Sequence, residues 1–241
     1  MESSRISQQE KGKDVEQTFA PVVKGVTIRL IMALAFIMNL MIHQIDISSA
    51  FCYADIEEEG SMKPPSEIKV KEGWCFKLMK SLYGLRSSPR AWNKHLDKNI
   101  KSLNFKPCVL DPCLYFRWHE GKLALILVYV DDILIAHHDL SFICSIKESF
   151  CSTFDMTDMG EMKYFLNIKI TRTANSLLMD QTTYAKKILA KFTDYLGIKK
   201  PKKYPFPDDA MDQLASTPVL TAAQQLFVDN FPYRSIVGAL L

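Results

Sequence analysis

The chain lacks the pairings that would make a zinc module and lacks any apolar run long enough to cross a membrane. Its six cysteines, at positions 52, 75, 108, 113, 144 and 151, form no CxxC pair and make no ligand spacing with the five histidines. They sit mostly in apolar surroundings and read as reduced thiols of a cytosolic or nuclear protein. The apolar run from Leu30 to Ile42 is broken by Asn39 and covers thirteen residues, short of a membrane span, so it reads as a buried helix. No signal-peptide pattern appears, because Met1 to Thr18 is polar and mixed in charge. There is no internal repeat. A net charge of +3 is too small to name a class of partner by itself.

What is present is an ordinary globular composition, 48% hydrophobic and 24% charged, over 241 residues. That length can bury a large core in one or two domains. The charge is unevenly spread. Residues 60–106 hold 11 Lys/Arg against 3 Asp/Glu, and residues 184–204 hold 7 Lys against one Asp. Acids gather at Asp55, Glu57, Glu58 and Glu59. Two basic blocks around an acidic centre suit a polyanion held by its phosphates and processed at a metal. The alternative is a pair of solvated helix faces.

The stretch Leu123 to Ala136 organises the chain. Nearly every residue in it is apolar, many are β-branched, and Asp131-Asp132 interrupts it. It reads as two buried strands joined by a tight turn. Carboxylates there cost several kcal/mol to desolvate unless a cation binds them, so the turn is a rigid mount for Mg²⁺. A hairpin turn that merely uses two Asp is the other reading. Asp46, 85 residues earlier in the strand pattern Gln44 to Ile47, supplies a further acid. Three carboxylates on adjacent strands can hold two Mg²⁺ ions about 3.5–4 Å apart, the geometry for in-line phosphoryl transfer.

Along the rest of the chain, Pro21 to Met41 reads as one interior helix started by its proline. Ser48 to Tyr53 turns away from the acid-bearing strand. Trp74 to Leu78 reads as a strand. Ser88 reads as an N-cap with Pro89 in the first turn, and Trp92, Leu96, Ile100 and Leu103 then recur at helical spacing. That spacing makes Trp92 a core residue rather than a base-stacking platform. Leu114 to Arg117 and Leu123 to Val130 are strands around the turn His119-Glu120-Gly121. Phe142 to Phe154 is a helix, Tyr164 to Thr171 a strand and Ser176 to Met179 a shorter one. Thr183 to Leu196 is an amphipathic helix with Tyr184, Ile188, Leu189 and Phe192 on one side and Lys186, Lys187 and Lys191 largely on the other. Gly197 reads as its C-cap, Pro201 to Pro207 as a linker, and Phe227 to Leu241 as the start of another helix.

Several ordered blocks resemble one family. Tyr129-Val130-Asp131-Asp132 looks like the YxDD box of reverse transcriptases, and Gln44 to Phe51 resembles their first catalytic block. Thr18 to Lys24 is similar to the FAPVxK block of copia-type retrotransposon enzymes. Ser81 to Trp92 resembles SLYGLxxSPRAW, and Asp111 to Tyr115 resembles DPCLY. Met159-Gly160 to Ile170 resembles LGxxxYFLGIxI, and Tyr233 to Gly238 resembles YRSxVGxL. The likeness runs from about Ser7 to the last residue.

The resemblance implies an RNA-directed DNA polymerase acting on an RNA or DNA template with a primer and deoxynucleoside triphosphates. It implies Asp46, Asp131 and Asp132 as catalytic metal ligands for two Mg²⁺ ions, with Mn²⁺ as a substitute. Phe51 takes the place of the aromatic floor that rejects a 2′-hydroxyl, or else is a core Phe after a strand. Tyr83 and Gly84 shape the nucleotide pocket, and Tyr129 packs beside the primer end. Gly160 and the lysines Lys186, Lys187 and Lys191 are the expected primer–template contacts. The implied fold is α+β: a polymerase palm with an antiparallel sheet and helices on one face, truncated fingers and a partial helical thumb. The implied division is 1–20 as a disordered or truncated fingers remnant, 21–170 as palm with a fingers-side insert around 60–90, and 171–241 as a truncated thumb or connection region. The expected compartment is cytoplasmic or nuclear, within a virus-like particle of the parent element, with no membrane and an open oligomeric state.

The chain also departs from the family pattern. The upstream fingers hairpin of copia-type enzymes is replaced by unrelated residues at Met1 to Ile6. Asn167 stands where the pattern has a hairpin Gly, and Phe51-Cys52-Tyr53-Ala54-Asp55 replaces FLNGD. These departures suggest a piece of a longer polyprotein with impaired activity. The competing expectations are a folded, non-catalytic relic that binds nucleic acid through its basic blocks, and a different metal-dependent phosphoryl enzyme.

Overall fold

The structure, a computed structural model, describes residues 17–56, 60–65, 67–196 and 221–240. Most of the expected remnant 1–20, the acids at 57–59, the C-cap Gly197 and the linker Pro201 to Pro207 lie outside the described residues.

The first helix, α1, runs Gly25–Ile37 rather than from Pro21 to Met41. Its start has no side-chain cap from its own N-cap residue Lys24. Instead the buried Asp111 carboxylate accepts the Lys24 backbone N–H at 3.1 Å and the Thr27 hydroxyl at 2.6 Å. Its end is a Schellman turn. Asn39 takes φ +52°, its N–H bonds the Phe36 carbonyl, and the Leu40 N–H bonds the Ala35 carbonyl. The Arg172 guanidinium satisfies the carbonyls of Leu40 and Ala35 and the Asn39 side chain. The chain leaves this turn directly into strand β1, Met41–Ile47, which is longer than the expected Gln44 to Ile47.

A six-stranded, wholly antiparallel sheet forms the centre. Its members after β1 are β4 (Lys106–Pro107), β5 (Leu114–His119), β6 (Lys122–Tyr129), β7 (Asp132–His137) and β8 (Met156–Glu161). The spatial order is β4-β5-β6-β7-β1-β8. β8 was not expected from its sequence, which has little strand propensity. It forms as the outer partner of β1, across a bulge that leaves Met159 unpaired between Gly160 opposite Gln44 and Asp158 opposite Ile45.

Helices α2 (Ser88–Ser102) and α3 (Leu140–Cys151) cover one face of the sheet. Their Trp92, Leu96, Ile100, Ile143 and Phe150 form one buried cluster with Ile45, Ile126, Val128, Ile133 and Ile135. Each such side chain contributes about 1.5–3 kcal/mol on full burial. Leu125, Leu127, Leu134 and Ala136, which point the other way, are buried too. Both faces of the hairpin are therefore covered, which explains its continuous apolar pattern. Ser87, not Ser88, is the N-cap residue of α2, and the Ser88 hydroxyl donates to the Leu82 carbonyl at 2.6 Å instead. A short ribbon pairs β2 (Ser61–Met62) with β3 (Phe76–Lys77), so the expected strand Trp74 to Leu78 shrinks to two residues.

The chain divides into two compact units, one running through to Lys163 and taking in Arg172–Leu177, the other made of Tyr164–Thr171 and the chain from Leu178 onward. In the latter part of the chain β9 (Tyr164–Phe165), β10 (Ile168–Arg172) and β11 (Leu177–Asp180) form a three-stranded sheet. The expected strand Tyr164 to Thr171 is thus a hairpin. Its two-residue turn, Leu166 at φ +49° and Asn167 at φ +63°, has the type I′ pattern. The second unit also holds α4 (Thr182–Leu196), α5 (Ala222–Asn230) and α6 (Tyr233–Leu240), so the expected single helix from Phe227 is broken at Phe231-Pro232. The Tyr184 hydroxyl ties α4 to the Ala239 carbonyl of α6 at 2.9 Å. Leu189, expected on the apolar side of α4, is exposed.

Candidate active site

The β6–β7 hairpin closes with Tyr129 paired to Asp132, leaving Val130 and Asp131 as its two central residues. Val130 alone of the two has a positive φ, +57°, which matches a II′ turn where Gly is usual. A β-branched residue there is strained. Both central carbonyls are held by donors from other elements. The Trp92 indole N–H reaches the Val130 carbonyl at 2.7 Å, and the Ile47 N–H reaches the Asp131 carbonyl at 3.0 Å.

The register pairs Asp46 of β1 directly with Asp132 of β7. Directly opposed residues share one face with Cβ atoms about 4.5–5.5 Å apart. By strand alternation this acidic face is the one turned away from α2 and α3, since Ile45, Ile47, Ile133 and Ile135 are the residues in the helix-packed cluster. Burial raises the Asp46 carboxyl above its ordinary value, and the Asp131 charge raises it further. Asp132 is also raised, first by burial; the Gln44 side-chain amide opposes this, while the charges of Asp131 and Asp46 add to it. The Gln44 amide donates to Asp132 Oδ1 at 2.9 Å. Three neighbouring carboxylates, all hard oxygen donors, fit a divalent cation such as Mg²⁺ in the chemistry of the donor set. Among the described residues no three His, Cys, Asp or Glu side chains close into a preformed metal cage. Mg²⁺ seldom uses such cages, because it keeps several waters and takes substrate phosphates as ligands.

Phe51 and Tyr83 come together beside these acids. Their ring centroids are 4.6 Å apart. Burial pushes the Tyr83 hydroxyl above its ordinary value, and the Asp131 and Cys52 groups push it further, with a smaller effect from Asp46. Phe51 lies in a short 3₁₀ turn, Ala50–Tyr53, entered through Ser49 at φ +52°. Gly84 takes φ +99°, a conformation strained for any L side chain. Tyr129 is half-buried at the end of β6. Gly160 takes φ +71° in the β8 bulge, and its N–H bonds the Asp158 carboxylate at 2.8 Å. Lys186, Lys187 and Lys191 are exposed on α4 in the second unit, with the Lys191 ammonium 5.2 Å from the Phe192 ring centroid.

Sequence reasoning named the acids and the aromatic pair but missed Gln44 as a partner of Asp132 and Trp92 as a donor to the turn. Gln44 had a signal available: it stands two residues before Asp46 in a strand and so shares its face. Trp92 had none beyond its helical spacing. Among the described residues no helix is long and apolar enough to cross a membrane.

A family model described as reverse transcriptase (RNA-dependent DNA polymerase) matches residues 4–204. The chain is 35% identical over 239 residues to a retrovirus-related Pol polyprotein from transposon TNT 1-94 of Nicotiana tabacum, covering 97% of this chain and 18% of that one. It is 32% identical over 234 residues to the corresponding polyprotein from transposon RE1 of Arabidopsis thaliana, covering 96% and 15%. A putative transposon Ty5-1 protein of Saccharomyces cerevisiae is 28% identical over 198 residues, covering 81% and 62%. The chain thus spans less than a fifth of the two plant polyproteins.

Proposed function

The chain belongs to the reverse transcriptase (RNA-dependent DNA polymerase) family, in its copia-type retrotransposon branch, and from that premise we propose that it adds deoxynucleotides to a primer 3′-hydroxyl by two-metal nucleotidyl transfer. The observation that carries this reading is the pairing of Asp46 with Asp132 across β1 and β7, with Asp131 beside them in the turn. These three carboxylates would hold two Mg²⁺ ions, and Mn²⁺, which shares the preference for oxygen ligands, would substitute. When bound, the ions supply acidification of the primer hydroxyl and neutralisation of the triphosphate charge.

The chain's own residues do the positioning. Gln44 occupies one lone pair of Asp132 and fixes its rotamer. The Phe51 ring forms the aromatic floor under the incoming sugar that refuses a 2′-hydroxyl, and Tyr83, tilted by 46° against it, shapes the nucleotide pocket. Gly84 lets the backbone approach the nucleotide closely, and Tyr129, on the same face as Asp132 by register, lies beside the primer end. Gly160 and the exposed Lys186, Lys187 and Lys191 contact the primer–template duplex, the lysines through its phosphates. In this reading residues 21–170 are the palm with a fingers-side insert around 60–90, and residues 171–241 are a partial thumb or connection region. The template is RNA or DNA, and the setting is the cytoplasm or nucleus, within the particle of the parent element.

The test is extension of an oligo-dT primer on poly-rA with Mg²⁺. Asp131→Asn should abolish extension while leaving the fold intact. Extension by that variant at the parent's rate would refute the assignment.

A further inference from the structure

The strained turn carrying Asp131 needs something to hold it. Val130 is β-branched and sits at φ +57°, a conformation that persists only where surrounding structure over-determines it. Its carbonyl lies in the two-residue loop, outside the paired residues of the β6–β7 ladder. We propose that Trp92 is a positioning residue for nucleotidyl transfer: its indole N–H, bonded to the Val130 carbonyl, locks the turn so that Asp131 and Asp132 stand ready for metal. The inference rests on the reading of these acids as metal ligands.

The geometry is that of a clamp. Trp92 is 2% exposed and reaches the turn from the helix-packed face, while Asp132 and Asp46 occupy the opposite face. The donor therefore grips the turn from behind without competing for the carboxylates. The indole is itself fixed. It lies edge-on to Phe154 with centroids 5.5 Å apart, stacks near His95 at 6.2 Å and meets Tyr53 at 6.4 Å. With the Ile47 N–H on the Asp131 carbonyl, both turn carbonyls are held, one from α2 and one from the end of β1. Trp92 and Val130 also line a cavity of about 290 Å³ whose walls include Phe19, Pro21, Phe51 and Leu96.

The experiment separates the donor from the packing. Site-specific replacement Trp92→benzothienylalanine keeps the bicyclic shape and puts sulfur in place of N–H; Trp92→Phe is the genetic companion. Mn²⁺ affinity is measured on the whole chain by electron paramagnetic resonance of the free ion, with Asp131→Asn as the site control. Primer extension and the melting midpoint are measured alongside. The isostere should melt close to the parent yet bind Mn²⁺ about 10-fold more weakly, the usual cost of losing an outer partner of a metal site. Its extension should lose kcat with the nucleotide KM unchanged, the sign of an interaction that acts on the transition state. Equal Mn²⁺ affinity and equal kcat in isostere and parent would overturn the clamp while leaving the acids' role standing. Mn²⁺ binding that is absent from the parent, or unchanged by Asp131→Asn, would overturn the metal-site reading and the clamp with it.

Discussion

Asp132→Asn should stabilise the metal-free protein near neutral pH. Burial and the charges of Asp131 and Asp46 raise the Asp132 carboxyl above its ordinary value of 3.8, against the opposing Gln44 hydrogen bond. For an acid raised in the folded state, the penalty is absent below the unfolded value, grows as pH rises through the folded pKa, and is complete above it. Two carboxylates about 5 Å apart repel by about 1–3 kcal/mol for effective dielectrics of about 80 down to 20. The half-buried setting favours the lower end, and Asn still accepts from Gln44, so the expected gain is about 1 kcal/mol. In a chain of this size that is a rise of about 2–4 °C in Tm. The assay is thermal denaturation in chelator near pH 7 and again near the ordinary carboxyl value of 3.8, then near pH 7 with Mg²⁺. The advantage of Asn should shrink at the lower pH and reverse with Mg²⁺, which stabilises only the intact site by mass action. A variant that melts below the parent in chelator near pH 7, or whose gain ignores both pH and Mg²⁺, would refute the reasoning.

Asp111→Asn should destabilise by about 1.5–3 kcal/mol, the range for hydrogen bonds to a charged group, read by urea denaturation. Burial pushes the Asp111 carboxyl up, but bonds from Thr27, Lys24 and Cys113 hold it below its ordinary value. The parent's advantage is therefore full above pH 3.8 and disappears as pH falls through the lowered folded value. Phe51→Ala should relax sugar selection, measured as the ratio of ribonucleotide to deoxyribonucleotide incorporation; an unchanged ratio removes the gate role. Val26 and Ile37 are 74% and 77% exposed on α1, so Val26→Glu with Ile37→Lys should lower light scattering at high concentration without lowering Tm.

The parts of the fold legible in the sequence were those with a local cause. Leu123 to Ala136 announces a buried hairpin because strand propensity and a turn-forming Asp pair coincide there, and the structure places strands at Lys122–Tyr129 and Asp132–His137. Trp92 reads as core from helical spacing alone and is 2% exposed. What stayed illegible depends on distant partners. β8 exists because β1 has an open edge, not because Met156 to Glu161 favours a strand. Asp111 caps α1 from 84 residues beyond Thr27, and Gln44 holds Asp132 across 88 positions. Such bonds leave no periodicity, and the sequence shows only their endpoints.

The two departures in the middle of the chain illustrate the same limit from the other side. Losing Gly from the FLNGD block looks costly if that position needs a left-handed backbone. Ala54, which stands there, takes φ −78° and ψ 139°, ordinary extended values, and is 1% exposed in the cluster under Asp46. Glycine's freedom is not needed at that position. Asn167 is the opposite case, because φ +63° does demand left-handed backbone. Asn is among the few side chains that visit this region readily, and it leaves the I′ hairpin paired from Phe165 to Ile168. Its neighbour Leu166, at φ +49°, has the greater steric burden. At these two departures the steric burden therefore falls on the neighbour Leu166 rather than on Ala54 or Asn167 themselves.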